Sequence, residues 1–433
     1  MAEKAQVLVA AAGAGWESPL LPILAAPTSP VRLARRCVDL PDLVAAAAAG
    51  RGSLVLVSSR IDGWDADVIA RLGECQVATL VVAEDLVDAE RSRRLGVDRV
   101  LPADLAADPP LLLQALLDAA DDVIAVPTTP VVDVGVDVDL DTAAPDRNGQ
   151  VVAVWGPTGA PGRSTVALGV AAAAARQQIS TVLIDADVYG GATGQMLAVL
   201  DEVSGVLSAV RAASAGTLDR PAFAAAARTI GPHLRVLTGL PRADRWTALR
   251  PAAIRELLTV ARASAQLVVV DCGFCIEQDD DLAFDTAAPR RNGATTAVLE
   301  HAEMVLAVGS ADPLGLTRLA RARSDLRELV PTAAVRLVVN KVRRGLCWSR
   351  DEVSATLLRA IGEVPLAYLP HDLPAVDHAW TNGQAVGESS SALGLALDEL
   401  CTAVGVELGL DGTAPVGRRS RRRSRTHRAV VKR

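Results

Sequence analysis

The sequence predicts an α/β protein built from two successive doubly wound, mostly parallel sheets, the second larger than the first. Three observations carry this. Short apolar runs alternate with helical stretches in two separate series along the 433 residues, as parallel sheets covered by crossover helices require. An acidic, proline-bearing stretch parts the two series. A glycine-rich turn joins the first strand of the second series to a helix.

The first series fills residues 1–125, the smaller domain. Strands are expected at 6–11, 54–58, 78–83 and 99–101, with helices at 40–49, 65–72, 85–95 and 110–120. Residues 126–149 read VPTTPVVDVGVDVDLDTAAPDRNG. Apolar residues alternating with Asp make a poor buried strand, and the charges repel one another, so this segment is expected to be an extended linker. The second series fills residues 150–405. Its strands are expected at 151–155, 181–185, 234–237, 267–271, 304–308, 335–340 and 364–368, and its helices at 163–176, 251–263, 313–329 and 351–360. Residues 406–433 form an expected disordered tail, because the last part of the chain lacks apolar periodicity.

Composition excludes several classes. Half of the residues are hydrophobic, enough for two or three cores. The longest apolar runs fall short of the roughly 20 residues needed to span a bilayer. The first residues lack a signal-peptide pattern, so a cytoplasmic location is expected. Six cysteines in 433 residues make no disulfide framework. Cys272 and Cys275 have C-x-x-C spacing, but no second Cys/His pair lies near them in sequence, and a packing role is expected. His371 and His378 lack a third ligand.

The most informative segment is VVAVWGPTGAPGRST, Val151 to Thr165. It reads as strand, glycine-rich turn and helix start. Such a turn aims backbone N–H groups inward, and the helix behind it offers its positive end to an anion. A hydroxyl in the first helical turn can reach Mg²⁺. Gly156, Thr158, Gly159, Ala160, Pro161, Gly162, Arg163, Ser164 and Thr165 are therefore the candidate phosphate-binding residues. The pattern G-x-x-x-x-G-K-[ST] fits at every fixed position but one, where Arg163 stands for lysine. Taken alone, the segment is also compatible with a plain turn. Acids on later strands favour phosphate: Asp185 and Asp187 end one strand in LIDAD, and Asp271 ends another in VVVD. Ligands of open α/β sheets bind at those carboxyl ends, and Mg²⁺ and an attacking water need carboxylates there.

With these motifs in place, residues 150–405 resemble the MinD/ParA family of deviant Walker P-loop ATPases. The closer resemblance is to the CpaE-like branch and to septum-site-determining proteins. It extends to VVNK at 338–341, to DTAAPRRNGAT at 285–295 and to LPHDLPAVDHAWTNGQAV at 369–386. The resemblance implies ATP and Mg²⁺ as ligands, with metal held by Ser164, Asp185 (through water) and Asp271. It implies that Asp187 orients the hydrolytic water and that Asn340 contacts adenine. Two departures matter. Thr158 stands where the family has the signature lysine that reaches across a homodimer, and Arg163 replaces the Walker lysine. Only Lys4, Lys341 and Lys432 are lysines in this chain, so no nearby lysine repairs either loss. Arginine is planar and bulkier than lysine, so with Asp187 and Arg163 as the catalytic pair, slow hydrolysis or none is expected. Arg290 or Arg291 is a candidate for supplying the missing charge in trans.

The first domain is similar in strand and helix order to a response-regulator receiver. A working receiver needs acids after its first strand, an Asp after its third and a Lys after its fifth. Here those places hold Ala11, Ala12 and Gly13, then Ser58 and Ser59, then Leu101 and Pro102. A pseudo-receiver that docks partners is expected.

Residues 417–433 carry nine basic residues and no acid, while the whole chain is −7. The tail is read as a contact for anionic lipid or DNA, or as a solvated end. The functional expectation is an ATP-dependent switch that places or regulates a septum, or a Flp/Tad-type pilus or secretion machine, through protein partners. The alternative is a scaffold that keeps the fold without using nucleotide.

Overall fold

The computed structural model describes residues 5–97, 99–106, 108–125, 149–159, 161–199, 203–277, 289–343, 345–346, 348–387 and 391–410. Residues 126–148 of the expected linker, Ala160, residues 285–288 of the DTAAPRRNGAT segment and the chain from 411 onward lie outside the described residues. The first residues of the expected tail 406–433 are not tail, because the last helix, Ala392–Leu408, runs into them on the buried side chains of Leu397, Leu400 and Val404.

The first sheet contains β1 (Ala5–Ala10), β2 (Val31–Arg36), β3 (Leu54–Ser58), β4 (Ala78–Ala83) and β5 (Arg99–Pro102) in the order β2-β1-β3-β4-β5. All its pairings are parallel, which is the order of a flavodoxin-like sheet. Around it lie α1 (Glu17–Ala25), α2 (Leu40–Ala48), α3 (Ala66–Glu74), α4 (Leu86–Arg94), α5 (Ala103–Ala106) and α6 (Pro109–Ala125). Helix starts are set locally. Asp39, Asp65 and Asp85 each accept a first-turn amide of α2, α3 and α4, the usual work of an N-cap. The strand over Val31–Arg36 was not among those expected. It is an edge strand with three arginines, largely exposed, so it lacks the apolar run by which its buried neighbours are recognised.

The second sheet has β6 (Gln150–Trp155), β7 (Thr181–Ala186), β8 (Arg228–Gly231), β9 (Leu234–Leu237), β10 (Leu267–Cys272), β11 (Met304–Ser310), β12 (Ala334–Val342) and β13 (Ala367–Pro370). Its order is β13-β12-β11-β6-β10-β7-β9-β8, parallel except for the edge pair β8–β9. The helices are α7 (Arg163–Arg176), α8 (Thr193–Met196), α9 (Gly205–Ser214), α10 (Arg220–Ala226), α11 (Pro251–Ser264), α12 (Gly293–His301), α13 (Pro313–Leu329), α14 (Arg350–Ile361), α15 (Leu373–Thr381) and α16 (Ala392–Leu408). Central strands such as β6, β7 and β10 are buried on both faces, which is why they read as unbroken apolar runs rather than alternating ones. The strand expected at 364–368 lies at Ala367–Pro370 instead. Gly362 closes α14 in the left-handed region, and the chain spends the next few residues, Val364 exposed among them, returning to the sheet edge.

The two sheets meet through their helices. Arg250, the N-cap of α11, pairs with Asp67 of α3 at 2.7 Å. Arg91 of α4 donates to the carbonyls of Trp64 and Ala215, both at 2.9 Å. A cleft of about 690 Å³ lies at this junction, lined by Arg60, Trp64 and Arg211 among others. It is separate from the glycine-rich loop.

Candidate functional site

The glycine-rich loop leaves the carboxyl end of β6 and enters α7. Gly159 and Gly162 have φ of +105° and +97°, a region that side-chain-bearing residues rarely adopt. Pro157 and Pro161 are buried beneath the loop, while Thr158 is exposed on it. Gly162 is the N-cap of α7 and offers no side-chain acceptor. Where α2, α3 and α4 have an aspartate, the first amides of α7 have none, so the end of this helix keeps its donors and its positive field for another acceptor. Ser164 and Thr165 stand half-buried in its first turn.

Three aspartates lie at the adjoining strand ends. Asp271 on β10 is in register with Asp185 on β7 and with Val154 on β6. Asp271 is 0 % exposed and Asp185 1 %. Asp185 is satisfied by the protein: its Oδ2 accepts from the amide (3.0 Å) and hydroxyl (2.8 Å) of Thr193, and its Oδ1 accepts from the Asp187 amide at 3.3 Å. Burial outweighs those bonds and pushes its carboxyl up to about 6. Asp271 differs. Neither of its oxygens has a hydrogen-bond partner among the described residues; the Ser164 hydroxyl lies close enough to favour its charge, but not in hydrogen-bonding geometry. Desolvation first, then the charge of Asp185, hold the Asp271 carboxyl well above its ordinary value. A buried orphan carboxylate is costly. Asp187 is held by the amide of Tyr189, which donates to its Oδ1 at 2.8 Å.

Arg163 does not extend freely. Its Nη1 donates to the carbonyls of Gly156 (3.2 Å) and Pro157 (3.3 Å), and its Nη2 lies 3.6 Å from Asp187. The guanidinium also lies 5.9 Å from the centre of the Phe274 ring. Phe274 in turn packs on Tyr189 at 4.6 Å, and Arg291 stacks over Tyr189 at 4.1 Å. Arg291 is thus engaged within its own chain, with Nη2 also 3.4 Å from the Val188 carbonyl; Arg290 is exposed. Asn340, at the far end of β12, donates to the Pro161 carbonyl at 2.8 Å. It is therefore a strap on the loop.

Mg²⁺ fits this donor set in a particular way. Among the described residues no group of three His, Cys, Asp or Glu side chains could hold a metal by itself. Mg²⁺, however, is commonly held by one or two carboxylates with phosphate and water completing its shell. The orphaned Asp271 oxygens beside Ser164 match that mode, with Asp185 at one remove behind Thr193. Cys272 is buried and Cys275 accepts from the Asn292 side chain at 3.2 Å; both are free thiols.

Sequence reasoning missed three residues. Thr193 satisfies Asp185. Tyr189 forms part of the aromatic pair beneath the two arginines. Arg318 of α13 lies on the loop, so that a Cβ at Gly159 would overlap its guanidinium. Only Thr193 and Tyr189, close behind LIDAD, stood near a motif; nothing near Arg318 in sequence marks it.

The fold is like that of a ParA family ATPase of known structure. A ParA family ATPase from Chlorobium tepidum matches at a TM-score of 0.50 and 18 % identity, over 58 % of this chain and 98 % of that one. The cell division ATPase MinD of Pyrococcus furiosus matches at 0.49 and 17 %, over 60 % and 99 %. The septum site-determining protein MinD of Pyrococcus horikoshii, complexed with Mg-ADP, matches at 0.46 and 16 %, over 60 % and 98 %. No protein-family model matches the chain, and no curated protein matches it in sequence.

Proposed function

We propose that the chain binds Mg·ATP at the loop over residues 156–165 and uses it as a conformational switch, with slow hydrolysis or none. One observation carries the reading. Asp271 is buried without a hydrogen-bond partner among the described residues, beside Ser164, next to a loop whose Gly159 and Gly162 take left-handed backbone and whose helix has no side-chain cap. A bound cation would compensate that carboxylate, and the α7 amides would receive phosphate. Bound Mg²⁺ would neutralise phosphate charge. The rest falls to the protein: Gly159 and Gly162 shape the cradle, Ser164 and Asp271 hold the ion, and Asp187 positions a water. Arg163 shares its charge with Asp187 and two loop carbonyls, which weakens its pull on a transferring phosphoryl group and supports slow turnover.

In the cell the switch would act in spatial organisation, as a cytoplasmic, CpaE-like or septum-site-determining protein. It would engage a division or Flp/Tad pilus and secretion machine through protein partners and a homodimer. The first sheet would serve as a pseudo-receiver for docking, and residues 417–433 would contact anionic lipid or DNA at the membrane periphery. No helix among the described residues is long and apolar enough to cross a membrane. The second reading, a scaffold that has abandoned nucleotide, is favoured by the self-engaged guanidinium of Arg163.

Calorimetric titration with Mg·ATP, beside an Arg163→Ala variant and a steady-state phosphate-release assay, decides between them. Saturable binding with little phosphate release supports the switch. An absence of binding up to millimolar ATP supports the scaffold.

A further inference from the structure

We infer that Arg318 is a phosphate-contacting residue that gives the loop its preference for nucleoside triphosphates; this rests on the nucleotide-binding reading above. Arg318 lies in the second turn of α13, the helix that follows β11, and β11 pairs directly with β6, the strand that opens the loop. Side chains on a helix lean toward its N-terminus, so the side chain is carried back to the strand ends. Asp312 caps α13 through the Gly315 amide at 2.9 Å, which fixes the register of that first turn. The result is a guanidinium resting on the face of Gly159, whose backbone is left-handed.

Its lack of a partner among the described residues separates Arg318 from the two other arginines nearby. Arg163 is divided among two carbonyls, Asp187 and Phe274. Arg291 is stacked on Tyr189. Arg318 makes no hydrogen bond or ion pair with a described residue and is half-buried, so its five N–H donors are open to an incoming oxyanion. A planar guanidinium suits a phosphate edge in two-point contact. Gly159 is exposed and stands three residues before the N-cap of α7, so a guanidinium packed against it would reach the phosphates at the solvent side of the loop, the distal ones. A lysine missing from the loop itself is thereby replaced in cis from a neighbouring helix.

The test compares wild type, Arg318→Ala and Arg318→Lys, each titrated calorimetrically with Mg·ATP, Mg·ADP and AMP, with thermal unfolding to establish that the variants fold. The expected result is an affinity for Mg·ATP about tenfold or more weaker in Arg318→Ala, with AMP affinity changed by less than about twofold and Arg318→Lys between the two. Equal losses for Mg·ATP and AMP, or no loss for either, would overturn the inference while leaving the nucleotide site standing. Wild type that binds none of the three would instead remove the nucleotide reading, and this inference with it.

Discussion

The side-chain amide of Asn340 donates to the backbone carbonyl of Pro161 at 2.8 Å, across 179 residues of sequence. Its own Oδ1 accepts the Lys341 amide, also at 2.8 Å. Lys341 has φ of +60°, a sparsely populated region for a lysine. The end of β12 is thus turned out of regular strand geometry at Lys341, directly after the residue that grips the phosphate loop, and loop and strand end hold one another in place.

Removing that strap should loosen the loop before it harms the sheet. Asn340→Ala leaves a buried carbonyl at Pro161 without its donor, and a loss of about 1–3 kcal/mol in urea unfolding is expected. Nucleotide affinity should fall with it. Stability unchanged within about 0.5 kcal/mol would show that the Pro161 carbonyl finds another partner.

The loop glycines differ sharply from their neighbours in what they tolerate. At Gly162 a methyl group would meet the Asn340 amide nitrogen, and the backbone is left-handed. Gly162→Ala should therefore cost about 1–3 kcal/mol and abolish nucleotide binding. Gly190 has open space around it and no positive φ, so Gly190→Ala should stay within about 0.5 kcal/mol of wild type. Thermal melts of the two variants side by side check the contrast.

The sequence carried the site's framework further than its fine structure. Strand ends LIDAD and VVVD marked Asp185 and Asp271 because buried parallel strands read as apolar runs that a charge interrupts visibly. The edge strand Val31–Arg36 was illegible because exposed arginines cover its apolar positions. The helices expected at 163–176 and 313–329 coincide with α7 and α13, where a glycine and an Asp-Pro pair mark the starts. Arg318 was invisible for a different reason. Its place on the loop depends on the strand order β11-β6, which no local pattern encodes. The self-engagement of Arg163 likewise needed the positions of Asp187 and Phe274.

Acidity should affect the unliganded protein in an unusual direction. The folded carboxyl of Asp185 is pushed up to about 6 by burial, against about 4 in an unfolded chain. Between those values the folded state keeps a proton that the unfolded state has lost. Stability contributed by this group is therefore greatest at low pH, falls as pH rises from about 4 to about 6, and is level above that. The span is on the order of 3 kcal/mol. Urea unfolding at pH 5 and pH 7.5, for wild type and Asp185→Asn, isolates it. The difference in stability, wild type minus variant, should be larger at pH 5. An unchanged difference would mean that Thr193 holds the carboxylate charged.

Arg250 and Asp67 join the two sheets at 2.7 Å, with side chains 34 % and 17 % exposed. Solvent screens such a pair, and Asp67 also sits in the first turn of α3, where its charge favours the helix by itself. A double-mutant cycle with Asp67→Ala and Arg250→Ala removes that second effect. The expected coupling is about 0.5–1 kcal/mol. A coupling near zero would leave the junction to its other contacts, Arg91 on the Ala215 carbonyl and the packing of α3 on α9 and α11 among them.

The charge of Asp187 holds Arg163 away from a ligand. Asp187 lies 3.6 Å from the Arg163 guanidinium, and both side chains are nearly buried. An arriving polyphosphate meets a guanidinium already partly neutralised, and a carboxylate that repels it. Asp187→Asn keeps the shape and the acceptor for the Tyr189 amide, but removes the charge. Arg163 then loses its competing partner, and the repulsion disappears as well. Affinity for Mg·ATP should therefore rise, by about tenfold for an electrostatic change near 1.4 kcal/mol. Phosphate release should not rise with it, because the residue proposed to position water has lost its charge. Calorimetry and a single-turnover assay on the same preparation read the two effects apart. Weaker binding in Asp187→Asn would mean that the carboxylate holds Arg163 in the orientation that phosphate needs, and that the self-engaged guanidinium is preorganised rather than sequestered.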